Sequence, residues 1–94
     1  MGVKWTRTAL ANLNDLAEYI AQDNPRAAAE MVDRIVAAIE RLKTYPALGR
    51  PGRVPNTREL VLTATPYIVP YRVKGKNIEI LRVFHAARRW PDDF

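Results

Sequence analysis

The chain contains no cysteine and no serine, and His85 is its only histidine. Those absences exclude disulfides, thiolate and serine nucleophiles, zinc-finger spacings and any metal site built on two histidines. No stretch approaches the ~20 apolar residues that a membrane-spanning helix requires. The N-terminus, Met-Gly-Val-Lys-Trp-Thr, also lacks the apolar core of a signal peptide. The sequence therefore reads as a soluble, cytoplasmic protein that makes no use of a membrane, a metal or a cofactor. Its 94 residues, 48% of them hydrophobic, suit one small domain spanning 1–94 with a modest core.

What is present is arginine, unevenly placed. Residues 1–47 balance six basic groups against six acidic ones. Residues 48–94 carry nine basic groups against four acidic, so the whole net charge of +5 lies there. Seven of the nine are arginines: Arg50, Arg53, Arg58, Arg72, Arg82, Arg88 and Arg89. The planar guanidinium suits phosphate and carboxylate, so a basic half on a neutral scaffold points to an anionic partner, either nucleic acid or an acidic protein segment.

Val3 to Trp5 reads as a short strand, and Thr6 or Thr8 as the cap of a first helix over about 9–22. Leu10, Leu13, Leu16, Ala17 and Ile20 supply its apolar face. Asn24-Pro25 starts a second helix, with Asn24 as N-cap and Pro25 where a missing N–H is harmless. Ala28, Met31, Val32, Ile35, Ile39 and Leu42 form its stripe, and Glu30–Arg34 stands at the favourable i, i+4 spacing. The two helices pack as an antiparallel hairpin. Residues 46–57, rich in Pro and Gly, form a loop that carries Arg50 and Arg53.

Strands follow over 59–62, 67–73 and 78–85, the last two joined by a hairpin at Lys74-Gly75-Lys76-Asn77. Pro70 cannot donate to a ladder, so it marks an edge or a bulge. The last strand is apolar on both parities and is therefore central. The fold class is α+β: a helical hairpin on a small, mostly antiparallel sheet, in the order β-α-α-β-β-β. The uncovered sheet face and the 46–57 loop then make a basic concavity. In an unbroken last strand, Arg82 and His85 point to opposite faces. Arg82 either serves a partner or pairs with Glu59 or Glu79, and Arg58 and Glu59 can pair as well. Tyr67 and Tyr71 share a face and either stack on bases or pack in the core, core packing being the expected use.

Several ordered motifs resemble the RelE/ParE toxin superfamily. They are Leu48-Gly49-Arg50, Thr57-Arg58-Glu59-Leu60-Val61, Pro66-Tyr67-Ile68-Val69-Pro70-Tyr71-Arg72-Val73, and Ile80-Leu81-Arg82-Val83-Phe84-His85-Ala86-Ala87-Arg88-Arg89-Trp90-Pro91. Trp5-Thr6 and Asn24-Pro25 match at the front. The resemblance implies the toxin of a type II toxin–antitoxin module, held inactive by a small antitoxin with an acidic C-terminal segment.

Its two branches differ in chemistry. The RelE branch cuts mRNA in the ribosome, which needs cations for the phosphorane and a base for the 2′-OH. Arg58, Arg82, His85 and Arg88 are the residues this sequence offers. It departs from that branch at Ile68, where such nucleases tend to carry Arg after the strand tyrosine. It departs again after Arg88, where only Trp90 and Phe94 remain as aromatics. Arg stays protonated and cannot act as the base. The ParE branch instead poisons DNA gyrase, and the closing segment is more similar to it. On that reading no catalytic residue is assigned, and Arg50, Arg53, Arg58, Arg72, Arg82, Arg88, Arg89 and Trp90 contact the antitoxin or the target. The alternatives are ribosome-dependent RNA cleavage and a non-toxic basic module that binds nucleic acid.

Overall fold

A computed structural model describes residues 1–87; Arg88, Arg89 and Trp90 lie outside the described residues. The first strand, β1 (Gly2–Trp5), leads through Thr6 into helix α1 (Arg7–Ala21). Thr6 caps α1, its hydroxyl oxygen accepting from the Ala9 N–H at 3.1 Å. The same hydroxyl donates to the Ile80 carbonyl at 2.8 Å, so one side chain starts the helix and fastens it to the sheet. Asn24 caps α2 (Pro25–Glu40) by accepting from the Ala27 N–H, and Pro25 opens the helix as expected. A 3₁₀ turn, Arg41–Lys43, then continues the axis far enough to bury Leu42.

The helical stripes hold with two changes. Ala9 is fully buried, whereas Leu10 is 47% exposed, so the inner face of α1 runs through Ala9, Leu13 and Leu16. Glu30 pairs with Arg26 one turn earlier, and Arg34 reaches across to donate to the Thr63 carbonyl at 3.0 Å.

Five further strands follow: β2 (Arg50–Pro51), β3 (Arg58–Val61), β4 (Tyr67–Lys74), β5 (Asn77–Ile80) and β6 (Phe84–His85). The sheet order is β1-β5-β4-β3-β2, with β6 also paired to β4. β1 runs parallel to β5, and every other pairing is antiparallel. The β4–β5 hairpin turns at Gly75, whose φ of +60° is the left-handed conformation that glycine adopts without a Cβ clash. The helices cover one sheet face. Ala9, Ile35, Ile39 and Leu42 meet Val69, Tyr71, Ile78 and Ile80 there.

The expected long strand over 78–85 is broken. Ile80 pairs with Tyr71 and His85 with Tyr67, so four residues of one strand face three of the other. This one-residue bulge inverts side-chain direction beyond it. His85 consequently lies on the helix side with Ile78 and Ile80, and Phe84 lies on the open side. Pro70 causes the break. Its carbonyl accepts from the Leu81 N–H at 2.9 Å, so its missing donor faces the same neighbour, where no ladder bond can form. Pro70 therefore sits in an interior strand, and the bulge falls in its partner.

Candidate functional site

The sheet face away from the helices gathers charge in a row. Lys4 of β1 stands beside Glu79 of β5, and Glu79 stands beside Arg72 of β4. Arg72 Nε lies 2.5 Å from Glu79 Oε1. The Arg72 hydrogen bond, with the charges of Arg72, Lys74 and Lys4 behind it, holds the Glu79 carboxyl below its usual range. Three cations share one carboxylate, so the row stays positive. Arg72 can exchange Glu79 for an incoming carboxylate or phosphate at little cost, because water already screens and competes with an exposed pair.

The 46–57 loop is held at three points. Glu59, 3% exposed, accepts from Arg50 Nε at 3.1 Å and Nη2 at 2.9 Å, while its other oxygen accepts from the Arg53 N–H at 3.0 Å. Tyr71, fully buried, donates its hydroxyl to the Pro46 carbonyl at 2.7 Å and accepts from the Gly49 N–H at 2.9 Å. Arg58 donates to the Gly49 carbonyl at 2.8 Å. A Cβ on Gly49 would stand 2.7 Å from the Tyr71 ring, so only glycine admits this approach. Burial raises the Tyr71 hydroxyl above its usual pKa, against the opposing pull of the Gly49 bond and the Arg58 charge.

These contacts revise the reading of the arginines. Glu59 and Glu79 were the acids expected for Arg82, and Arg58 was expected to pair with Glu59. Instead Glu59 takes Arg50, Glu79 takes Arg72, and Arg58 turns to backbone carbonyls. Arg50 and Arg58 thus brace the loop, while Arg53 rides on it and Arg72 lies on the open face.

Among the nuclease candidates, Arg58 and His85 stand apart along the sheet, and Arg88 lies outside the described residues. Arg58 pairs with Tyr71 on one side of β4, and His85 pairs with Tyr67 on the other. Four residues along β4 and two strand spacings across put those positions about 16 Å apart. His85 packs edge-on against Tyr67, ring centroids 5.7 Å apart, and its Nδ1 accepts from the Ala87 N–H. Arg82 is half-buried in the bulge between them. No cluster of three His, Cys, Asp or Glu able to hold a metal occurs among the described residues.

Charge counting by halves missed three cations. Lys4 belongs to the open-face row although it comes from the neutral half, and its alternation with Val3 and Trp5 in β1 was the available signal. Arg34 and Arg41, one heptad apart on α2 and the turn after it, line a groove of about 430 Å³ with Arg50, Leu48 and Val61. No helix among the described residues is long and apolar enough to cross a membrane.

Comparison with known proteins agrees with this architecture. Residues 3–90 match the model of the ParE toxin of the type II toxin–antitoxin system, parDE. Y4kP of Sinorhizobium fredii is 51% identical over 89 residues, covering 95% of this chain and 92% of its own. Toxin RelE2 of Caulobacter vibrioides is 41% identical over 86 residues, covering 92% and 96%. Among solved structures, a chain of the chromosomal ParDE toxin–antitoxin system from P. aeruginosa superposes with a TM-score of 0.82 at 39% identity, over 90% of this chain and 95% of that one. A helical hairpin on a mixed sheet, matched over nearly its full length in sequence and in space, places the chain in the ParE toxin family of type II toxin–antitoxin systems.

Proposed function

We propose that the protein arrests growth by binding DNA gyrase, without chemistry of its own, and that an antitoxin with an acidic segment neutralises it. The engagement of Arg58 and His85 by the chain's own groups is the observation that carries this reading. RNA cleavage needs its base and its cations free to meet one phosphodiester, whereas the Arg58 guanidinium donates to the Gly49 carbonyl and the His85 ring packs against Tyr67 with Nδ1 accepting from the Ala87 N–H. Binding needs only an accessible surface. Arg53 and Arg72, with Lys4 and Lys74 beside them, offer it on the open side. Arg50 and Arg58 hold that surface in shape, and Arg88, Arg89 and Trp90 extend the contact beyond the described residues. Trp and Arg are the side chains most enriched where interfaces concentrate their energy.

Expression of the chain alone should stop growth, and co-expression of the acidic partner should restore it. Growth unaffected by the chain alone would favour a basic module that binds nucleic acid. The partner's affinity should fall steadily as salt rises from 50 to about 500 mM, because screening weakens contacts between exposed charges. Titration calorimetry at several salt concentrations checks this, and an affinity indifferent to salt contradicts the charge argument.

His85→Ala separates binding from catalysis. Loss of a general base costs about 10²–10⁴-fold in rate. Toxicity, scored by titrated induction, should instead change less than about tenfold. A drop to the catalytic scale, with message cut by the parent chain and left intact by the variant, would return the chain to the nuclease reading.

A further inference from the structure

On the helix side of the sheet, a cleft of about 470 Å³ opens between α1 and β6. Asn12, Asp15 and Tyr19 line one wall from a single face of α1, and Tyr67, His85 and Ala87 line the other. Both walls are fixed. Asn12 Oδ1 accepts from the Val83 N–H at 3.1 Å, and His85 Nδ1 accepts from the Ala87 N–H at 3.2 Å. The Tyr67 and His85 rings meet at 86°. Asp15 and Tyr19, one helical turn apart, are exposed at the mouth, and Asp15 has no ion-pair partner among the described residues.

The lining selects the charge of its guest. Among the described residues the lining holds one carboxylate and no Lys or Arg, on a chain whose net charge is +5. A nucleotide or an acidic peptide would bring negative charge to Asp15 and meet no cation among the described lining residues. A neutral aromatic would leave the carboxylate unanswered. An ammonium would satisfy the charge but has no flat face to lay against the rings. A guanidinium does both, with paired N–H groups for the carboxylate and a planar face for the aromatic wall.

We propose that this cleft receives an arginine side chain of a partner protein, a recognition site separate from the cationic face and independent of whether gyrase is the target. N-acetyl-arginine methylamide, titrated into the ¹⁵N-labelled chain, should move the amide resonances of Asp15, Tyr19, Val83 and Ala87. The lysine analogue should move them less at equal concentration. Asp15→Asn and Tyr19→Ala replace exposed side chains and should each weaken binding about three- to fivefold. Shifts spread over the whole surface, or left unchanged by Asp15→Asn, would overturn the proposal. So would a stronger response of the same amides to adenosine monophosphate. Binding seen only in an Arg88→Gln/Arg89→Gln variant would mean that the chain's own arginine fills the cleft, which also overturns it.

Discussion

Tyr71→Phe should lower the unfolding free energy by about 2–3 kcal/mol, although it removes one oxygen atom. The Gly49 N–H and the Pro46 carbonyl both lose their partner, and each buried polar group left unmatched costs about 1–3 kcal/mol. The midpoint of thermal unfolding should fall by about 10–15 °C in a chain this short. Tyr45, 58% exposed, provides the control; Tyr45→Phe should stay within about 0.5 kcal/mol of the parent. Alkaline pH probes the same hydroxyl. Its folded pKa is raised by burial, so its contribution to stability is fully present below the ordinary tyrosine value of about 10 and is lost as pH rises through the folded value. Tyr71→Phe should therefore flatten the alkaline limb of the stability curve. Equal midpoints for the two Phe variants would show that the buried hydroxyl braces nothing.

Glu59→Gln should cost about 2–3 kcal/mol and weaken antitoxin binding together with stability. Removing one partner of a fully buried ion pair costs about 3–5 kcal/mol, and the half-exposed Arg50 recovers part of that from water. The amide oxygen can keep the bonds on one side, but the NH₂ must face either the Arg50 guanidinium or the Arg53 N–H, donor against donor. Urea unfolding gives the stability, and calorimetry with the antitoxin gives the function. Glu79→Gln is the comparison. It removes an acid from the open face, so it should leave stability near that of the parent and make the face more positive. If Glu59→Gln behaves like Glu79→Gln, Glu59 does not hold the loop.

The contrast between these two glutamates shows where the sequence could be read and where it could not. Caps and stripes act locally. Thr6, Asn24-Pro25 and the Ile35–Ile39–Leu42 run were legible because each depends on neighbours within a turn or two. The helical hairpin and the antiparallel hairpin at Gly75 were legible for the same reason. Partner choice was not. Arg50 with Glu59, Arg72 with Glu79 and Arg34 with Thr63 are decided by register, and a single bulge opposite Pro70 changes register for everything after it. The pattern rules put His85 across the strand from Ile80, and the extra residue brings the two to one side. The parallel pairing of β1 with β5, which carries Lys4 into the cationic row, joins residues more than seventy positions apart and leaves no local trace.

Purified gyrase, relaxed plasmid and ATP, incubated with increasing amounts of the chain, test the central claim most directly. Supercoiling should stop in proportion to the added protein, and messenger RNA in a parallel translation reaction should stay intact. Message cut during translation, with supercoiling undisturbed, would contradict the account.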